Sequence, residues 1–98
     1  MTIVTVTYRA KPGMRDKFVR ALLDEHIAEE TQKENGNLCY RFSLPLDSED
    51  EVCLLEKWEN ADCLIPHGKQ PKFKRLGELK ALYIDDCEIK IFEATPAR

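Results

Sequence analysis

A chain of 98 residues with 15 Lys and Arg against 18 Asp and Glu has a formal charge of −3, which excludes the dense basic surface that non-specific nucleic-acid binding requires. With 43% hydrophobic and 34% charged residues, the composition is that of a globular protein and not of a disordered tail, and the length suits one domain over residues 1–98. No apolar run approaches the roughly 20 residues that cross a bilayer, so no membrane partner is expected.

The first segment, Ile3 to Arg9, alternates Val4, Val6 and Tyr8 with Thr5, Thr7 and Arg9, the pattern of a half-buried strand. Lys11-Pro12-Gly13 ends it with a turn, since proline fixes φ and glycine permits the reversal. From Met14 to about Lys33, Met14, Phe18, Val19, Leu22, Leu23 and Ile27 recur at helical spacing and predict one amphipathic helix. His26 continues the Phe18-Leu22 stripe, so it is expected to turn toward the sheet. Asn35-Gly36-Asn37 closes the helix with residues that tolerate left-handed geometry.

A second strand is expected to place Leu38, Tyr40, Phe42, Leu44 and Leu46 on one face, with Pro45 confining its end to an edge or terminus. Asp47 to Glu51 reads as a solvated hairpin loop, because the alternating ligands, central glycine and later glutamate of a calcium loop are missing. The third strand sets Val52, Leu54, Glu56 and Trp58 against Cys53, Leu55 and Lys57. Both faces carry large apolar groups, so both call for cover. Asn60 can cap a short helix over Ala61 to Ile65, which Pro66 interrupts. Pro71 suits the first turn of a further helix with Phe73, Leu76 and Leu79 inward and its lysines toward water. The last strand, Leu82 to Phe92, changes face near Asp85-Asp86, where a bulge is expected.

The order β-α-β-β-α-β is that of an α+β, ferredoxin-like split βαβ with an antiparallel sheet. Helices cover one face, and the apolar residues left on the other predict a face-to-face homodimer. Cys53 and Leu55, and Cys87, Ile89 and Ile91, are the residues expected to need that cover. The four cysteines, at 39, 53, 63 and 87, contain no Cys-x-x-Cys. With no basic stretch and apolar block of a secretory signal at Met1 to Val6, they read as reduced thiols of a cytoplasmic protein, without a metal site.

Four segments resemble the antibiotic biosynthesis monooxygenase domain family, which includes quinol monooxygenases: Lys11-Pro12-Gly13, Glu34-Asn35-Gly36-Asn37-Leu38-Cys39-Tyr40, Glu56-Lys57-Trp58 and His67-Gly68-Lys69-Gln70-Pro71-Lys72-Phe73. Asn35 stands where the family has proline, Gln70 where it has a hydroxyl residue and Lys72 where it has a second histidine. The resemblance implies a dimeric α/β barrel, in which two sheets pack with helices outside, and oxidation of a small quinol or polyphenol by oxygen without a cofactor. The scattered glycines at 13, 36, 68 and 77 likewise offer no phosphate cradle for a flavin or nicotinamide. The haem-degrading branch is less similar, since its first strand carries an asparagine that Thr2 to Arg9 lacks.

Removing a proton from a quinol requires a base that titrates near neutrality, which histidine supplies. His67, at a helix-to-helix break, matches the family's histidine and reads either as that base or as a structural bridge at the bend. His26 is the second catalytic candidate, because related isomerases carry a histidine on this helix. Trp58, Tyr40, Phe42 and Phe73 are candidate walls for a planar substrate, or core. Glu56 shares their face and, as a buried carboxylate, is expected to be paired. Two other functions stay open: an isomerase on a small phosphorylated carbonyl compound, which needs a cation in the pocket, and a non-catalytic dimeric module that binds a small hydrophobic molecule.

Overall fold

A computed structural model describes residues 1–97. Its elements run β1 (Thr2–Ala10), α1 (Arg15–Asp24), α2 (Ile27–Gln32), β2 (Asn37–Ser43), β3 (Glu51–Trp58), a 3-10 turn (Ala61–Cys63), α3 (Leu64–His67), α4 (Pro71–Tyr83) and β4 (Ile84–Glu93). The strands form one sheet in the order β2-β3-β1-β4, antiparallel throughout. This is the expected split βαβ order. Within one chain the sheet is open, so a closed barrel is something that only two copies can make.

Strict alternation drives the core. Val4, Val6 and Tyr8 of β1 and Val52, Leu54 and Trp58 of β3 are buried on the helix side, where Phe18, Leu22, Leu76 and Leu79 meet them. Tyr8 stands edge-on to Phe18 at 5.5 Å between ring centroids, the arrangement that aromatic quadrupoles favour. The chain ends of the sheet are tied by Met1 donating to the Ala94 carbonyl at 2.7 Å and by the Thr2 hydroxyl donating to Glu93 at 2.6 Å.

The expected long helix is two helices. His26 adopts φ 54°, ψ 40°, a left-handed conformation that ends α1 and restarts the chain as α2. Leu22 and Ile27, not Leu22 and His26, face the core in consequence, because the break inserts one residue into the stripe. Ile27 and Thr31 are fully buried, and the Thr31 hydroxyl donates to the Ile27 carbonyl at 2.8 Å. His26 is therefore turned to solvent, contrary to the expected sheet-facing position.

Other boundaries shift for equally local reasons. β2 stops at Ser43, before Pro45, leaving Leu44 and Leu46 exposed, and a register irregularity between Asn37 and Cys39 turns Leu38 out as well. Pro66 does not interrupt its helix; it occupies the first turn of α3, where backbone N–H groups have no intrahelical acceptor to lose. α4 runs to Tyr83, beyond Leu82, where the strand was expected to begin.

The bulge is where the pattern places it: Arg9 pairs with Asp86 but Ala10 with Ile84, so Asp85 is the extra residue. Its effect on facing differs from expectation. Cys87, Ile89 and Ile91 stand opposite Tyr8, Val6 and Val4, and paired residues share a face. They lie on the helix side, beyond the cover of α4, with Ile89 and Ile91 more than half exposed. The helix-free face carries Ile3, Thr5, Cys53, Leu55, Lys90 and Phe92. No helix among the described residues is long and apolar enough to cross a membrane.

Candidate functional site

His67 ends the short α3, held by Pro66 before it and by the turn in which the Gln70 amide donates to the His67 carbonyl at 3.1 Å. Glu34 reaches it from 33 residues away. Gly36 makes this approach feasible: its φ is +80°, and a Cβ there would stand 2.3 Å from the Cys63 sulfur. Only a residue without a side chain lets the α2–β2 turn lie against the segment that leads into α3. The Glu59 amide, donating to the Gly36 carbonyl at 2.9 Å, fastens the two together.

The result is an imidazole between two carboxylates. His67 Nδ1 lies 2.8 Å from Glu34 Oε1. A carboxylate oxygen accepts, so this contact places the ring proton on Nδ1 and leaves the Nε2 lone pair open. Nε2 lies 3.8 Å from Glu56 Oε1, too far for a hydrogen bond. Glu56 is instead bound by the Trp58 indole N–H at 3.0 Å, a contact that the two-residue periodicity of β3 produces. His67 and Glu56 are 6% and 7% exposed. Three rings enclose the imidazole, with centroids at 4.8 Å for Trp58, 5.1 Å for Phe73 and 6.1 Å for Tyr40.

Beside this cluster, between α3, α4 and the sheet, lies a cavity of about 330 Å³, the size that small-molecule sites occupy. His67, Glu56, Tyr8 and Tyr40 supply polar atoms, while Val4, Val6, Leu76 and Ile91 are among its apolar walls. Burial, aided by the nearby Glu56 charge, pushes both phenols well above the usual tyrosine range, so they stay protonated and can donate. Burial also raises the Glu56 carboxyl, outweighing the Trp58 hydrogen bond and the attraction of His67. Among the described residues, no group of three or more His, Cys, Asp or Glu is placed to hold a metal ion.

Of the residues singled out by sequence, His67, Glu56, Tyr40 and Phe73 line this cavity. Trp58 is fully buried behind His67 and shapes the site without lining it. Phe42 is not part of it. It faces a separate recess with Leu22 and Val52. His26 is remote too, exposed and hydrogen-bonded to Glu29 at 2.6 Å. That bond holds the Glu29 carboxyl below its ordinary range.

Two site residues escape the sequence reading, Glu34 and Tyr8. Glu34 opens the segment Glu34-Asn35-Gly36, whose punctuation value masks its side chain. Tyr8 belongs to the buried register of β1, which marks it as core and hides its polar end.

A sequence model of the antibiotic biosynthesis monooxygenase family matches residues 1–79. Among solved structures, the chain is similar to a candidate antibiotic biosynthesis monooxygenase from Deinococcus radiodurans at 27% identity, covering 100% of this chain and 96% of that one with a TM-score of 0.86. A conserved protein from Methanosarcina mazei is 26% identical over 96% of this chain and 92% of its own, with a TM-score of 0.84. A Bacteroides thetaiotaomicron protein of unknown function, described as a possible oxidoreductase, shares the fold at 23% identity, 95% and 96% coverage and a TM-score of 0.82. No curated protein matches the chain.

The raised Glu56 carboxyl sets a stability test. A carboxyl whose folded pKa exceeds its ordinary value of 4.5 has no ionisation cost below that value, and the fold loses stability as pH rises from there through the folded pKa. Glu56→Gln, which keeps an acceptor for Trp58, should raise the melting temperature at pH 7 and leave it nearly unchanged at pH 4. A gain that is the same at both pH values would contradict burial as the cause.

Proposed function

This chain belongs to the antibiotic biosynthesis monooxygenase family, and from that membership we propose that it oxidises a small quinol or polyphenol with molecular oxygen, using no cofactor. The observation that carries the proposal is the open Nε2 of His67, fixed by Glu34 on its far side and set at the wall of a largely apolar cavity. In this reading Nε2 takes the proton of a substrate hydroxyl. The resulting anion is the electron-rich species that can reduce oxygen. One oxygen atom enters the ring, the other leaves as water with two protons, and the quinol supplies the electrons, so no external reductant is needed.

The tyrosines serve as donors to the substrate's second oxygen, since burial keeps both protonated. Phe73 and the valines of β1 provide flat, apolar walls. Trp58 and Glu56 act through His67, one by packing a tilted ring against the imidazole and the other by its nearby carboxyl.

The isomerase alternative has less support. It needs His26 and His67 to exchange protons on one substrate, yet His26 is exposed at the α1–α2 break. Arg41 is exposed and Lys57 belongs to the helix-free face, which leaves Lys80 as the cation at the cavity; it is the distance of His26 from the cavity that counts against this reading.

The proposal includes pairing with a second copy through the helix-free face, where Ile3, Leu55 and Phe92 present apolar surface. Light scattering at micromolar concentration should then return twice the chain mass of 11.4 kDa. A monomer would remove the barrel from the account.

For activity, oxygen uptake with a panel of neutral quinols should exceed the autoxidation blank. His67→Ala should lower kcat by about 10²–10⁴-fold, the range that a positioned base contributes. No uptake by the wild-type protein, or uptake unaffected by His67→Ala in a variant that melts like wild type, would overturn the proposal.

A further inference from the structure

The cavity has a second polar end that the proposed chemistry does not use. Lys80 lines it, as does Tyr8, and the Lys80 ammonium stands over the Tyr8 ring, 5.7 Å from its centroid. Phe73, the ring edge-on to His67, lies seven residues earlier on the same helix. At 1.5 Å per residue, that separates the histidine end from the lysine end by about 10 Å. The intervening α4 residues that face the cavity are Leu76 and Gly77. A bound molecule thus meets a base at one end, apolar walls in the middle and a cation at the other.

Among the described residues, Lys80 has no carboxylate within ion-pair distance, although its helix neighbour Arg75 has both Glu25 and Glu78. A lysine near a helix C-terminus is ordinarily explained by the macrodipole, and the Tyr8 ring adds a cation–π contact. Neither accounts for a cation directed over a pocket wall with its charge unpaired. We propose that Lys80 anchors an anionic substituent of the substrate, making the preferred ligand a planar aromatic carboxylate whose reactive hydroxyl lies at the opposite end of its ring system.

The chemistry favours a carboxylate over a phosphate. One ammonium balances one negative charge, and among the described residues no second lysine or arginine lines the cavity to balance a dianion. The negative end of the α4 dipole lies close by and disfavours a second charge. The inference rests on the cavity being the substrate site, as the proposed function has it, but concerns binding and not the redox step.

The test compares 6-hydroxy-2-naphthoate with its carboxamide, two fluorescent molecules of one shape that differ in charge. Wild-type protein should bind the carboxylate about tenfold more tightly, the contribution expected of a hydrogen bond to a charged group. Lys80→Met should bring the ratio to about one, and Lys80→Arg should keep it. A purely structural lysine would alter both ligands alike. Equal affinities in wild type, no binding of either ligand, or a ratio unchanged in Lys80→Met would overturn the anchor, and tighter binding of 2-naphthyl phosphate would overturn the carboxylate assignment. Oxygen uptake with neutral quinols separates the two claims. A carboxylate preference without uptake leaves the anchor standing and removes the monooxygenase reading; uptake without the preference does the reverse.

Discussion

Burying an imidazole and a carboxylate in one small core, with a second carboxylate partly buried beside them, is the constraint around which the rest is arranged. An ionisable group taken out of water costs several kcal/mol unless its polar atoms find partners, and here each finds one. Glu34 meets Nδ1, the Trp58 N–H meets Glu56, and the gap between Glu56 and Nε2 is left at 3.8 Å. The backbone is shaped to that end. Gly36 allows the α2–β2 turn to close on Cys63, and Pro66 sits in the only turn of α3 that tolerates it. The rings of Trp58, Phe73 and Tyr40 then cover His67 and leave it 6% exposed.

The cavity itself follows from the sheet. Strand β4 has its apolar residues on the helix side, opposite Val4, Val6 and Tyr8, because the bulge at Asp85 resets its phase. α4 packs on β1 and β3 through Leu76 and Leu79 and does not extend over Ile89 and Ile91. A groove remains between helix and strand. Had the bulge been absent, Cys87, Ile89 and Ile91 would face the other way, and the pocket would lose one wall.

Much of this is legible in the residues. Period-two alternation identifies β1 and β3, Pro71 marks the start of α4, and the change of face near Asp85 locates the bulge. The Glu56–Trp58 pair follows from strand geometry alone. What the sequence hides is mostly phase. A single left-handed residue at His26 shifts the helical stripe by one position, and nothing local in a histidine announces it. Phe42 shares its strand face with Tyr40 and packs edge-on against it at 5.6 Å between ring centroids, yet it lines the neighbouring recess with Leu22 and Val52 and not the cavity. Glu34 is hidden differently. Its partner lies 33 residues away, and only the tertiary fold makes the pair.

The central claim is that Glu34 fixes the His67 tautomer with Nδ1 protonated and Nε2 free toward the cavity. Nitrogen-15 chemical shifts of the labelled imidazole, recorded at a pH where the ring is neutral, test this without any substrate. The account predicts the Nδ1–H tautomer for His67 in the wild-type protein and a mixture of tautomers in Glu34→Gln. A neutral ring protonated on Nε2 in the wild type would contradict it, since the nitrogen facing the cavity would then have no lone pair with which to act as a base.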